Sequence, residues 1–394
     1  MSILTLSSRS SVPRPSPTLA ITAKANALKA AGADVISFGA GEPDFNTPEP
    51  ICQAAVEALR SGFTKYTPST GTVDLKQAIV DKLARENNLK YEPNQIVVSC
   101  GAKHSLYNAM WAVLEPGDEV LLFAPYWMTY YDQVRLCGGV PVIVHTQAED
   151  NFVPSIEAIK AKITAKTKLI VVNSPSNPTG AVFPRETMKE IAALALRHNL
   201  WIISDEIYER LIYDVEHTSI AGLSAEVKEQ TIVIGGCSKT YAMTGWRIGY
   251  LAAPAAVTKA IGCFQDQVTS NPTSFAQKGA VAAFSMDPAV VETMRREFHV
   301  RRDLALGELA KIPGLVVPMP KGAFYVFFGV QQYLRGAIKN DVELAEHLLE
   351  SALVATVPGS VFEGDGFLRM SYTASQENIV RGIGRIGDAL AKLA

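Results

Sequence analysis

The feature that most constrains this chain is a series of short apolar runs separated by helical stretches. Ile96–Cys100, Glu119–Phe123, Val140–His145, Lys168–Asn173, Leu200–Ser204, Thr231–Ile234 and Ile248–Ala252 each read as a strand. Helical patterns near Ser105–Leu114 and Glu186–Arg197 fall between them. Lys168–Asn173 holds a continuous Leu-Ile-Val-Val run without polar alternation. A strand of that kind must be covered on both faces, which points to an α/β fold with a mostly parallel seven-stranded sheet between helices. Ligands of such sheets bind in the crevice beyond the carboxyl ends of the strands. After about residue 290 the pattern changes: a helix over Ala289–Lys311, an extended Leu315–Phe328, then a helix over Val342–Ser351. This predicts a smaller α+β domain of residues 15–46 and 290–394, a large domain of 47–289, and an arm of 1–14.

Composition narrows the function classes. The 394 residues carry 37 basic and 39 acidic side chains and are 48% hydrophobic. That is too apolar for a disordered chain and too balanced for a nucleic-acid binder, which needs a basic excess on some face. No apolar run approaches the roughly 20 residues that cross a bilayer, so no membrane partner is expected. Five cysteines without a C-x-x-C pair read as reduced thiols of a cytoplasmic protein. Ser2–Arg14 is serine-rich with two arginines and precedes the first acid, Asp34. It faintly resembles a transit peptide, lacks the apolar core of a secretory signal, and reads as an arm across a partner subunit.

Several signatures fail. Lys239-Thr240 is preceded by Ser238 where a P-loop needs glycine, and Gly39-Ala40-Gly41 runs into Glu42-Pro43-Asp44 and makes no dinucleotide fingerprint. Gly236-Cys237-Ser238-Lys239-Thr240 lacks the closing glycine of a nucleophile elbow. The six histidines show no metal-ligand spacing, so no metal is expected.

Four short segments at the ends of predicted strands stand out instead. They are Asn173–Gly180, Ser204–Tyr208, Ser238–Arg247 and Phe367–Tyr372. Singly, each key residue has an ordinary explanation: Asp205 a helix cap, Lys239 a solvated lysine, Arg369 a surface charge. Together, a carboxylate, a tyrosine, a lysine and an arginine at neighbouring strand ends can converge on one crevice.

The ensemble resembles the fold-type I, pyridoxal-phosphate-dependent class I aminotransferases, from about Pro15 to near the C-terminus. Gly41-Glu-Pro-Asp-Phe45, Lys65-Tyr66, Pro125-Tyr-Trp127, Gly322-Ala-Phe-Tyr325 and Val357-Pro-Gly359 share in it. Met243-Thr-Gly-Trp-Arg-Ile-Gly249 is similar to the bacterial aspartate aminotransferase subgroup.

The resemblance implies roles. Lys239 is the lysine that holds the cofactor covalently and then shuttles the proton. Asp205 keeps the ring nitrogen protonated, Asn177 and Tyr208 meet the ring's phenolic oxygen, and Trp127 stacks on the ring. Arg247, Ser238 and the helix opened by Gly101-Ala102-Lys103 take the phosphate. Tyr66 reaches the phosphate of the neighbouring subunit's site, so a homodimer with shared sites is implied. Arg369 grips the substrate α-carboxylate, aided by Gly41 and Asn177, while Lys103, Ser16 and Thr18 meet a distal carboxylate. A phosphate-facing or solvent-facing Lys103 is the alternative. Two positions depart from the family pattern: Gly236 stands where many relatives have a phosphate-binding serine, and Ala102 replaces a common glycine.

The implied reaction is ping-pong transfer of the amino group of L-aspartate to 2-oxoglutarate, forming oxaloacetate and L-glutamate. The alternatives are a prephenate or aromatic aminotransferase, a lyase or decarboxylase on the same fold, and a regulator that retains the fold.

Overall fold

The computed structural model describes residues 5–13 and 17–393, with the side chains of 17–20 and 22 outside that description. Its central sheet has seven strands: β2 (Ile96–Ser99), β3 (Glu119–Ala124), β4 (Val140–His145), β5 (Thr167–Asn173), β6 (Trp201–Asp205), β7 (Thr231–Gly236) and β8 (Gly249–Ala252), after a short β1 (Ile36–Ser37) outside it. The spatial order is β2-β8-β7-β6-β5-β3-β4. β8 pairs antiparallel with both neighbours, and the other pairings are parallel. The expected mostly parallel seven-stranded sheet is therefore present.

Its inner strands are largely apolar because each face meets its own core, whereas the edge strand β4 is only partly buried. Along β5, Leu169 and Val171 pack into one core with Leu106, Met110 and Ile203. Ile170 and Val172 pack into another with Ile191, Ala195 and Ile202. Side chains alternate across a strand, so two buried faces require an unbroken apolar run. Burial of each such side chain stabilises the fold by about 1.5–3 kcal/mol.

A second, three-stranded antiparallel sheet has the order β11-β12-β9: β9 (Tyr325–Gly329), then, after β10 (Val354–Ala355), β11 (Val357–Pro358) and β12 (Phe367–Ser371). β10 pairs in parallel with β1, tying an N-terminal segment to this part of the chain. The helix Gln376–Ala391 shows why the sequence folds here: Ser375 caps it by accepting a hydrogen bond from the Asn378 N–H. Ile379, Ile383, Ile386 and Leu390 then form one buried stripe at helical spacing.

Three expectations need correction. The extended Leu315–Phe328 becomes a strand only from Tyr325, with Val316 bridged to Gly329, because Pro318 and Pro320 cannot donate to a ladder. Phe367–Tyr372 does not follow a strand; most of it is β12 itself. Gly101, at φ +89°, stands before the helix Ala102–Val113, which starts a turn earlier than the expected Ser105.

Candidate active site

Strand ends build the site, as the parallel topology requires. Asp205 is the last residue of β6, in register with Asn173 at the end of β5. Lys239 follows the end of β7 by three residues, and the Gly101 turn follows β2. Two close approaches hold these turns together. A Cβ on Gly249 would lie 2.1 Å from the Ala102 nitrogen, and one on Gly101 would lie 2.3 Å from Arg247 Nη2. Glycine at both positions lets β8 and the Arg247 guanidinium press against the helix start. Gly236 is less tightly held: a Cβ there would meet the Gly249 Cα and the Ile248 carbonyl oxygen at 3.1 Å.

These turns enclose a cavity of about 570 Å³. Gly41, Ala102, Lys103, Trp127, Asn177, Asp205, Tyr208, Ser238, Lys239, Arg247 and Arg369 all line it. Gly101 is buried directly behind Arg247. Tyr66 is the exception, 92% exposed and outside the cavity. Ser16 and the Thr18 side chain lie outside the described residues.

The floor is buried and firmly held. Asp205 Oδ2 accepts from the Tyr130 hydroxyl at 2.6 Å, and Oδ1 from the Ile207 N–H at 3.2 Å. Burial pushes its carboxyl up to about 6, while those two donors pull the other way. Lys239 Nζ donates to the Gly41 carbonyl. Burial, assisted by Arg369 and Arg247, lowers its ammonium to about 8 against the opposing Glu42 charge. At neutral pH Asp205 is therefore mostly ionised, and roughly one Lys239 in ten is a neutral amine. A base near 8 in a cavity suits proton transfer far better than an ordinary lysine.

Arg369 lies on β12, 3% exposed. Its Nη1 donates to Asn177 Oδ1 and its Nη2 to the Gly39 carbonyl, both at 2.9 Å. Its guanidinium lies between the Tyr325 and Phe362 rings, 4.5 and 4.9 Å from their centroids. Among the described residues no carboxylate pairs with it, and its Nε is buried without a partner. A buried cation lacking a counter-ion is costly unless an anion arrives. Tyr208 and Tyr325 share a hydrogen bond at 2.9 Å beside it. The Lys239 and Arg369 assignments to solvated surface positions are thus excluded.

The rim differs. Lys103 is exposed, its Nζ 4.8 Å from the Trp127 ring centroid. Desolvation at the cavity wall, then the Arg247 charge, lowers its ammonium. Arg247, also exposed, is steadied by the Thr244 carbonyl at 2.8 Å.

The model of the family "Aminotransferase class I and II" matches residues 33–386. The chain belongs to the class I and II aminotransferases. As an aminotransferase it is 50% identical to the probable aspartate/prephenate aminotransferase of Aquifex aeolicus, covering 98% of this chain and 99% of that protein. It is 47% identical to the aspartate aminotransferase of Bacillus subtilis over 97% and 98% of the two chains. The structure of the Thermus thermophilus aspartate aminotransferase with maleate matches at a TM-score of 0.94 and 42% identity, covering 98% of this chain and all of that one.

Sequence reasoning gave no role to Tyr130, Phe362 or Asn173, the last of which opens one of the four segments singled out above. Asn173 Nδ2 donates to the Asp205 carbonyl at 3.1 Å, and its Oδ1 accepts from the Asn177 N–H at 3.0 Å, bracing both residues. The only signal for Tyr130 was an aromatic one helical turn beyond Trp127. Among the described residues no helix is long and apolar enough to cross a membrane.

Proposed function

We propose that this aminotransferase moves the amino group of L-aspartate to 2-oxoglutarate, with pyridoxal 5′-phosphate as cofactor, in a cytoplasmic homodimer. The observation that carries the reading is a cavity with a cation at each of two levels, Arg369 at the floor and Lys103 at the rim, flanking Lys239 and Asp205. An aspartate has two carboxylates to meet them. The dicarboxylate maleate seen with the Thermus relative agrees with this preference.

The residues suit the cofactor's chemistry. The helix Ala102–Val113 presents free N–H groups beside Arg247 and Ser238, a donor set matched to a phosphate. A cavity of this size holds such a molecule. Bound there, pyridoxal phosphate supplies a ring that accepts the electron pair released when the substrate Cα–H bond breaks. Asp205 keeps a proton on the ring nitrogen by its negative charge, and Tyr130 and Ile207 keep that carboxylate aimed. Trp127 offers an aromatic face to the ring. Asn177 uses Oδ1 for Arg369, so its amide N–H₂ is the end available to the ring's phenolic oxygen, with the Tyr208 hydroxyl.

Arg369 binds the α-carboxylate with help from Gly41 and Asn177, which orients the Cα–H bond toward Lys239. Lys239 removes that proton as a neutral amine and returns it one position away. The second half-reaction runs the same steps in reverse with a 2-oxo acid. Lys103, joined by Ser16 and Thr18, reads the distal carboxylate. The exposed Tyr66 reaches the phosphate of a partner subunit's site; the arm expected over residues 1–14 lies partly outside the described residues. The small domain of 15–46 and 290–394 brings Arg369 to the large domain of 47–289.

A second reading, prephenate or aromatic transamination, is favoured by the Aquifex relative's name and by the apolar Trp127, Met128 and Leu136 in the cavity wall. Aspartate, alanine, phenylalanine and tyrosine as donors with 2-oxoglutarate, and prephenate as acceptor, test both. Aspartate should give the highest kcat/KM for glutamate formation. Product formation without a 2-oxo acid would point to a lyase.

A further inference from the structure

Behind Asp205, on the other side of β6, lies a buried ionic cluster that the reaction above does not use. Glu206 follows Asp205 in the chain and is 2% exposed. Its Oε1 accepts from the Ser204 hydroxyl at 2.8 Å and the Ser219 hydroxyl at 2.6 Å. Its Oε2 lies 3.1 Å from His217 Nε2. Ser204 and Glu206 are two residues apart and share a side of the chain, while Asp205 between them points to the cavity. Among the described residues His217 is the one cationic partner of Glu206. Glu209, which together with Glu206 and His217 has the spacing of a metal trio, already holds Lys82 and Asn87 as donors. Glu209 is thus already paired with an ammonium, and Glu206 with His217.

We propose that the Glu206–His217 ion pair is a positioning pair that sets the electrostatic potential at Asp205 and hence the proton affinity of the cofactor held above it. The proposal rests on the cofactor assignment made above. Ionised Glu206 beside Asp205 makes protons more welcome in the floor of the site; His217, when protonated, offsets that charge. The directions agree: the Glu206 charge raises the Asp205 carboxyl, and the Glu206 carboxylate raises His217 despite burial. His217 is faced also by Glu209, which favours its protonation, and by Lys82, which opposes it. Around them stand Glu86, with Arg85 and Arg210, and the buried Tyr91, Tyr241, Tyr250 and Cys237. Burial pushes the hydroxyls and the thiol up, so they remain neutral while His217 titrates.

The test is the pH midpoint of the visible absorption of added pyridoxal phosphate on the enzyme. Glu206→Gln removes a negative charge and should lower the midpoint; His217→Gln removes a positive one and should raise it, each by about half a unit or more. The Glu206→Gln/His217→Gln double variant should return near the parent. It also serves as the uncharged substitute if Glu206→Gln alone does not fold. Any other pattern of shifts overturns the proposal, since a merely structural pair would change stability without opposite displacements. The melting temperature of the cofactor-free protein gives a second readout. His217, raised in the fold, should stabilise fully below its ordinary 6.5 and lose that effect as pH rises through its higher folded value. The gap between parent and His217→Gln should therefore shrink with rising pH, and a gap independent of pH overturns the pairing. If pyridoxal phosphate gives no band on the parent enzyme, the cofactor assignment fails, and the melting series still judges the ion pair.

Discussion

Lys239 and Lys103 reach the same cavity but live in different surroundings. Lys239 sits on the floor, where burial has brought its ammonium to about 8 and its Nζ is fixed on the Gly41 carbonyl. Lys103 lies at the rim, exposed, over the Trp127 ring. The floor holds groups buried and fixed by hydrogen bonds for chemistry; the rim holds exposed charges that can choose among substrates. A desolvated lysine gains reactivity, whereas a solvated one keeps reach and charge.

The sharpest way to break this division is Lys239→Ala. Loss of the shuttle amine should reduce transamination by several orders of magnitude, because general-base catalysis alone contributes about 10²–10⁴. The phosphate end of the site remains, so the cofactor should still bind. Near-normal turnover would remove Lys239 from the reaction.

Asp205→Asn comes next. It preserves shape and removes the charge, and turnover should fall by at least about a hundredfold. The same variant changes stability in a defined pH window. The Asp205 carboxyl is raised to about 6 in the fold, so the folded protein holds the extra proton and loses stability as pH climbs from about 4 to 6. In cofactor-free Asp205→Asn that decline, up to about 3 kcal/mol, should be missing from denaturation curves.

Substrate contacts separate the levels. Arg369→Ala should lower kcat/KM for aspartate and phenylalanine alike, by roughly 10²–10³, the scale of a desolvated charge pair. Lys103→Ala should cost aspartate about 10- to 1000-fold, one tenfold step per 1.4 kcal/mol, and phenylalanine much less. A uniform loss in Lys103→Ala would move this lysine from specificity to the phosphate or the fold.

The smallest effect concerns assembly. Tyr66→Ala and Lys239→Ala subunits, mixed at random, should regain about a quarter of parental activity, since half the dimers are hybrids with one intact site of two. No gain despite confirmed hybrids would count against sharing.

The floor was more legible in the sequence than the rim. Asp205, Tyr208 and Lys239 stand in short segments at strand ends whose residue types point to one crevice, and the cavity gathers them with Arg369 from within β12. The sheet could be read because both faces of its inner strands are buried, which leaves apolar runs such as Leu169–Val172 there. The roles of Tyr130, Asn173 and Phe362 could not be read, because each acts through a contact made only in three dimensions. The Glu206–His217 pair was hidden likewise: a loop brings the histidine back to the strand, and no fixed spacing announces it. Boundaries slipped where proline cut short the expected extension before Tyr325 and where Gly101 advanced a helix start.

The contrast between the two lysines is tested most directly by borohydride reduction of the enzyme loaded with pyridoxal phosphate, followed by peptide mass mapping. The cofactor's mass should appear on the peptide containing Lys239 and leave Lys103 unmodified. Attachment to Lys103, or to no lysine of the cavity, would contradict the division between a reactive floor and a selecting rim.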